Sequence, residues 1–331
     1  MERSIFQIAP VKKPSFLQRL FKQHPPENAV IELNNLLASN DLHTLNQNTV
    51  QQIEQKYGFP LTDFELNLQE FYAVYWNQYL KDNTSVSIEK TDKLAALLGL
   101  PATTVEMLQV KIGKVWYEHA ASDYLSVGQF LAEDERKLDL FRKKLKLPQA
   151  IANEVQSEVK HKILQRSLDK VVKKGRCTPN EEQTLIAMAH NFGINDASVS
   201  AGLQQLKTLK YYWELENLPL KVFDGDGAIQ KSELCYFKMR NVQWIELRGS
   251  GSNKGYEQVN YGSLYLTNKR LVFEGNSKNS VITYDKILRV SKSGNGMMIH
   301  KDKGKDPVLN FSGDYLVFEL IILRLLKGIN Y

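Results

Sequence analysis

Residues able to carry out bond chemistry are few and scattered in this sequence. His24, His43, His119, His161, His190 and His300 form no His-x-His, His-Glu-x-x-His or Cys/His spacing of the kind that holds a metal. Cys177 and Cys235 make neither a Cys-x-x-Cys pair nor a disulfide framework, which points to a reduced, cytoplasmic setting. Asp224-Gly225-Asp226-Gly227 opens like a calcium loop, but its fifth position is Ala228 and its twelfth, where a bidentate glutamate belongs, is Cys235. Turn chemistry explains that stretch better. Glu133-Asp134-Glu135 and Glu181-Glu182 are acid clusters of the kind that complement a helix N-terminus without a metal. No Gly-x-Ser-x-Gly elbow or phosphate-cradling Gly-x-x-x-x-Gly-Lys-Ser/Thr occurs, and Gly249-Ser250-Gly251-Ser252-Asn253 lies between strand-like segments rather than before a helix. The chain therefore reads as non-enzymatic, with no catalytic residue, cofactor or metal expected. Groups assembled only by folding would escape such a search.

The remaining chemistry is cationic. The chain carries 43 Lys and Arg against 37 Asp and Glu, a net +6. Residues 1–218 hold 26 of each sign, so the whole excess falls in the last third. There Lys254, Lys269, Arg270, Lys286, Arg289, Lys301, Lys303 and Lys305 are the candidate contacts for a lipid headgroup or another anion. Four clustered cations at an anionic membrane, at about 1 kcal/mol each, amount to roughly thousandfold enrichment, which is transient and salt-sensitive unless a second signal joins it. A separate basic run lies between Arg136 and Arg176, where Arg166, Lys170, Lys173 and Lys174 offer a nucleic-acid face. Asp169 interrupts that face and no Phe, Tyr or Trp interleaves it, so a solvated helix surface is the plainer reading.

These side chains must be positioned by two kinds of element. The 331 residues are 43% hydrophobic, the balance of a folded chain long enough for about two domains. No apolar run reaches a spanning length, since Tyr315–Ile329 is broken by Glu319, Arg324 and Lys327. Met1–Gln7 lacks the basic start and apolar core of a signal peptide. A repeat organises the first part. Leu98-Gly99-Leu100-Pro101, Leu145-Lys146-Leu147-Pro148 and Phe192-Gly193-Ile194-Asn195 recur every 47 residues, and Tyr57-Gly58-Phe59-Pro60 precedes them by 41. Apolar positions keep their spacing around each: Ile53 and Phe71, Leu94 and Ile112, Phe141 and Val159, Met188 and Leu206. Each unit reads as two helices joined at the motif, its glycine taking the left-handed turn that ends the first helix. Lys146 lacks that freedom, so its turn should differ or carry mild strain. Thr178-Pro179-Asn180-Glu181 supplies a capping box.

Three regions are expected: an arm over residues 1–27, four helix pairs over 28–217, and a β-rich domain over 218–331. In the arm, prolines at 10, 14, 25 and 26 bracket Phe16-Leu17-Gln18-Arg19-Leu20-Phe21-Lys22. Packing on the first repeat is the plain reading; an interfacial anchor built from Phe16, Leu17, Leu20 and Phe21 is the sharper one. After Pro219 come short alternating segments: Leu234–Lys238, Val242–Leu247, Ser263–Thr267, Arg270–Glu274, Ser280–Tyr284, Lys286–Ser291, Met297–Lys301 and Pro307–Phe311. Turns at Asn268-Lys269, Gly294-Asn295-Gly296 and Asp302-Lys303-Gly304 make them an antiparallel barrel or sandwich, closed by one helix with Leu316, Leu320, Leu323 and Lys327 on one line and Phe318, Ile321, Ile322 and Leu325 beside it.

Within this segment, Gly262-Ser263-Leu264-Tyr265-Leu266-Thr267-Asn268-Lys269-Arg270-Leu271-Val272-Phe273, followed by Ile282-Thr283-Tyr284-Asp285-Lys286-Ile287, resembles pleckstrin-homology-like domains of the GRAM or bacterial type over about residues 225–329. The resemblance implies a seven-stranded barrel capped by the C-terminal helix, and a non-catalytic module that binds phosphoinositides, other anionic lipids or protein segments. Within Thr267-Asn268-Lys269-Arg270 the turn chemistry alone explains Asn268, and Arg270 can lie along the barrel wall. The helical block is more distantly similar to tellurite-resistance-B-like domains and to the helical repeats of a chloroplast import scaffold. The expected fold is thus multidomain α + β, a helix-pair block and then a PH-like barrel. The expected function is scaffolding: the barrel recruits the protein to an anionic lipid surface or protein partner, peripherally if at a membrane, while the helices serve as a docking platform. A pure protein–protein adaptor is the first alternative and nucleic-acid binding the second; a small-molecule substrate ranks last.

Overall fold

A computed structural model describes residues 5–81, 88–225, 227, 229–250 and 253–328, with 196–199 by backbone alone. Met1–Ser4, Asp226 and Ala228 of the calcium-like stretch, and Gly251 and Ser252 of the glycine-rich loop lie outside the described residues. The order is α1 (Phe16–Leu20), α2 (Asn28–Ser39), α3 (Gln47–Tyr57), α4 (Glu65–Lys81), α5 (Ile88–Leu97), α6 (Ala102–Leu125), α7 (Ala132–Lys144), α8 (Gln149–Lys174), α9 (Pro179–Asn191) and α10 (Asp196–Asn217). Seven strands follow: β1 (Cys235–Arg248), β2 (Gly255–Thr267), β3 (Arg270–Gly275), β4 (Ser280–Thr283), β5 (Ile287–Ser293), β6 (Gly296–Lys301) and β7 (Val308–Asn310). Helix α11 (Tyr315–Leu326) comes last. The layout is multidomain α + β, a helical block followed by an antiparallel sheet and a terminal helix. No helix among the described residues is long and apolar enough to cross a membrane.

Four helix pairs, α3/α4, α5/α6, α7/α8 and α9/α10, turn at the repeated motif; α2 stands ahead of them as an unrepeated helix. The turn residue is left-handed every time: φ is +79° at Gly58, +64° at Gly99, +53° at Lys146 and +67° at Gly193. In the last three copies the apolar residue after it closes the same bond: the N–H groups of Leu100, Leu147 and Ile194 donate to the carbonyls of Ala95, Arg142 and Ala189 at 3.0–3.1 Å. Lys146 therefore keeps the glycine geometry and carries the strain of a side chain there. The box at α9 also forms, with Thr178 N–H donating to Glu181 Oε2 (2.8 Å) and Glu181 N–H to Thr178 Oγ1 (3.2 Å).

The chain divides into two compact units, 1–165 with 191–193, and 166–190 with 194–331. In the first, Trp76, Tyr72, Tyr117, Leu94, Leu125 and Leu145 are buried in the core. The second helices of successive pairs are tied by a row the periodicity did not reveal. Gln109 Nε2 on α6 donates to Tyr72 Oη on α4 (2.6 Å), and Gln156 Nε2 on α8 donates to Tyr117 Oη on α6 (2.5 Å). Burial raises the pKa of both phenols, so they stay neutral acceptors.

In the second unit the strand order is β4-β3-β2-β1-β7-β6-β5. The two segments expected at 234–238 and 242–247 are one strand: β1 shifts register between Met239 and Val242, and Asn241 at φ +60° absorbs the extra residue. Gly262 faces Gly275 across the β2–β3 pair, and a Cβ there would run into the Glu274 carbonyl. That close approach explains the glycine. Val242, Leu264, Leu271, Phe273, Ile299 and Leu309 meet Phe318, Ile321, Ile322 and Leu325 of α11 in one core. Helix α10 belongs to the same unit and reaches this core through Leu215. Arg324 of α11, buried, donates from Nη1 to the carbonyls of Leu215 (2.5 Å) and Leu218 (2.7 Å) at the C-terminal end of α10. Tyr212 of α10 donates to Asp314, the N-cap of α11.

Candidate anion-binding surface

Register decides which lysines meet. β7 begins with Val308 opposite Ile245, three residues before β1 ends, so the β6–β7 turn leaves the sheet on the same side as the β1–β2 hairpin. That side carries Lys301, Lys303 and Lys305 on one turn and Lys254 on the hairpin. Arg289 on β5 faces His300 on β6, and Ile287 faces Lys301. Lys286 lies between two groups: it precedes Ile287 by one residue and follows Thr283, the partner of Arg270, by three. Lys269 and Arg270 sit at the far end of β2, beyond Thr267, away from Lys254 at its start. The structure thus brings Lys254, Lys286, Arg289, Lys301, Lys303 and Lys305 towards one side and leaves Lys269 and Arg270 on another turn.

Not all of these charges are available. Arg270 Nε lies 3.0 Å from Glu233, whose side chain is only 2% exposed, so this arginine neutralises a buried carboxylate. Lys286 lies 3.6 Å from both Asp285 and Asp302. Lys254, Arg289, Lys303 and Lys305 are exposed and make no ion pair among the described residues. Lys269 is likewise exposed, at the tip of a turn whose backbone is satisfied locally: Thr267 Oγ1 accepts the N–H groups of Lys269 and Arg270, both at 3.1 Å. Turn chemistry therefore accounts for the backbone of Thr267–Arg270.

One feature of this side was invisible in the sequence. Ser291, His300 and Asp306 form a row: Ser291 Oγ lies 2.8 Å from His300 Nε2, and His300 Nδ1 lies 3.2 Å from Asp306 Oδ2. Such a row also occurs in hydrolases, where donors aimed at a developing oxyanion complete it. Here Asp306 Oδ1 also accepts the N–H of Lys301 (2.9 Å), Asp302 N–H donates to the Lys286 carbonyl (3.1 Å), and Arg289 faces His300. These bonds brace the turn that bears Lys303 and Lys305. Sequence offered no signal for the row, because Ser291 and His300 meet diagonally across a hairpin whose register was unknown.

Of the four cations named on the other basic face only Lys174 is paired among the described residues, and neighbouring cations of the same run are engaged as well. Lys160 Nζ lies 5.0 Å over the Phe130 ring, Lys162 pairs with Glu118 (2.7 Å), Lys174 with Glu181 (2.8 Å), and Arg176 grips both oxygens of Glu216 at 2.7 Å. Arg166, Lys170 and Lys173 remain exposed on α8. The acid clusters are engaged as well: Glu133 pairs with Lys137 (2.8 Å), Asp134 accepts the Leu131 N–H, and Glu182 pairs with Lys210 (2.6 Å). No group of three or more His, Cys, Asp or Glu among the described residues is arranged to hold a metal ion. In the first unit a groove of about 600 Å³ opens between α6 and α7, lined by Ala120, Tyr124, Leu140, Phe141, Asp123 and Lys144.

The order β4-β3-β2-β1-β7-β6-β5 with α11 on the core is compatible with a PH-like fold. In comparisons with known proteins, no protein-family model matches the chain and no curated protein matches it.

Proposed function

We propose that this protein is a non-catalytic recruitment scaffold: a PH-like sheet unit meets an anionic lipid surface through the β6–β7 turn and its neighbours, and the helix pairs offer docking faces. The observation that carries the reading is the braced turn, which holds Lys303 and Lys305 exposed on the side that also bears Lys254 and Arg289. A flat anionic surface suits cations spread over a turn, a hairpin and a strand better than a single small ligand does, because each contact contributes separately. The α6–α7 groove supports the docking role of the helices, since exposed Leu140 and half-buried Phe141 line it beside Lys144.

The test is co-sedimentation of the full chain with phosphatidylserine-containing vesicles at low salt. Replacing Lys254, Arg289, Lys303 and Lys305 by Gln is expected to weaken binding by roughly a thousandfold at about 1 kcal/mol per cation, and added salt should act the same way on the wild type. Absence of binding at low salt would remove the membrane reading. The adaptor reading would then lead, supported by Leu288 (69% exposed) and Val281 (49% exposed) on the two edge strands, β5 and β4.

A further inference from the structure

The N-terminal arm holds its most apolar stretch uncovered between two anchors. On the upstream side Phe6 is buried against Phe71, edge to face at 5.7 Å, and stacks on Tyr75 at 6.2 Å. Two asparagines of α2 then grip the arm's backbone as a neighbouring strand would. Asn35 accepts the Ala9 N–H (2.7 Å) and donates to the Ala9 carbonyl (2.8 Å); Asn28 does the same for Lys12 (2.7 and 2.9 Å). On the downstream side the His24 ring packs on Tyr57 at 5.7 Å and Pro25 is buried. Between these anchors the arm forms α1, started by a reciprocal Ser15–Gln18 capping box. Phe16, Leu17, Leu20 and Phe21 are 77%, 63%, 66% and 66% exposed.

A segment tied at both ends could fold its apolar face down onto the helices; this one presents it to water. Four adjacent large apolar side chains left bare in a capped element mark an interaction surface rather than ordinary surface scatter. Charge selects the occupant. Residues 10–26 contain Lys12, Lys13, Arg19 and Lys22 and no Asp or Glu. Lys12 is paired with Glu27 at 3.5 Å, which leaves Lys13, Arg19 and Lys22 to flank the apolar residues.

We infer that α1 is an interfacial anchor for anionic bilayers: Phe16, Leu17, Leu20 and Phe21 enter below the headgroups while Lys13, Arg19 and Lys22 lie among them. A single-turn helix has too little area to hold a protein groove by itself, whereas a plane of anionic headgroups engages cations on both sides of an apolar face at once. The anchor is a different surface from the lysine turn of the sheet unit, and each stands or falls separately. One short anchor binds weakly and reversibly, so α1 acts as one of two signals.

The experiment places an environment-sensitive nitrobenzoxadiazole label on Leu20→Cys in the full chain; Cys177 and Cys235 are buried, so the new thiol is the reactive one. With vesicles of phosphatidylcholine and phosphatidylserine the emission should rise and shift to the blue, and nitroxide-bearing lipid should quench it. Replacing Lys13, Arg19 and Lys22 by Gln should weaken this response about a hundredfold, and Phe16→Ser with Phe21→Ser should abolish it with the circular dichroism unchanged, since neither ring is packed. The response should persist, though at higher lipid, when Lys254, Arg289, Lys303 and Lys305 are Gln. Co-sedimentation without a spectral shift would overturn the anchor and leave the sheet-unit reading standing. A shift that needs no lipid but grows with protein concentration, or one produced only by an added protein, would overturn it in favour of a protein groove.

Discussion

At the scale of single residues, Lys146 and Gly99 make a matched pair. Both hold the left-handed turn of the repeat, at φ +53° and +64°, and a Cβ at Gly99 would meet no atom within 4 Å. Any cost of a side chain there is therefore conformational rather than steric crowding. Lys146→Gly is expected to raise the denaturant midpoint by the equivalent of about 0.5 kcal/mol, because relief of the left-handed penalty exceeds the added freedom of the unfolded chain. Gly99→Ala should lower it by about 1 kcal/mol. Equal and unchanged midpoints would mean that the turn tolerates side chains freely. Arg324 is a second residue whose role lies in what it touches. As its guanidinium supplies Leu215 and Leu218 with donors at the end of α10, Arg324→Met leaves those carbonyls without them and removes a cation from a helix C-terminus. A loss of about 2–3 kcal/mol is expected in urea unfolding.

Between elements, the α10–α11 clamp should respond to pH through Tyr212. Burial and then its bond to Asp314 raise this phenol to about 12, above its ordinary value of 10. A group whose folded pKa is raised stabilises the fold below its unfolded pKa and loses that contribution as pH climbs through the folded value. The wild type should therefore exceed Tyr212→Phe in stability by about 1 kcal/mol at pH 9, and the gap should close between about pH 10 and 12. Tyr57, raised to about 12 by burial and by Glu32, titrates over the same window in the other unit, so the comparison with Tyr212→Phe rather than the raw pH profile is the measurement. A gap independent of pH would separate the clamp from the phenol. At the same scale Glu181 is held below its ordinary value, first by Lys174 and then by the Thr178 N–H. Its cap should persist above pH 4.5 and fade as acid protonates it, an effect absent in Glu181→Gln.

For the molecule as a whole, the compact unit that contains the sheet starts at residue 166 and takes in α9 and α10. Leu215 and Leu220 sit in the same core as Phe318 and Phe273. A fragment 219–331 loses Leu215, the donor Tyr212 and the carbonyls that receive Arg324, and should unfold broadly or aggregate. A fragment 166–331 keeps them and should unfold cooperatively in urea. Equal cooperativity of the two fragments would show that the helical contribution is dispensable.

Local patterns carried the helix pairs, the α9 cap and the strands of the sheet into view, because each depends on neighbours within a few residues: Thr178 with Glu181, or Gly193 with Ile194 and Ala189. Even the left-handed lysine was legible as a conflict. Register was not legible. A bulge at Asn241 joined two apparent strands into β1, and pairing across β5 and β6 set Ser291 against His300, since a one-residue slip in either would look the same in sequence. Charge counting placed an excess in the last third but could not tell which cations were taken, as Arg270 is by Glu233 and Lys286 by Asp302. Likewise the arm's apolar residues were plain from composition, while the course of the arm that leaves them exposed depends on Asn28 and Asn35, 16 and 26 residues from the backbone groups they hold. Sequence by itself determined the elements, because hydrogen bonds within a turn are local. Only tertiary structure decided which charges and apolar faces remain open, because neutralisation and burial depend on partners that folding brings near.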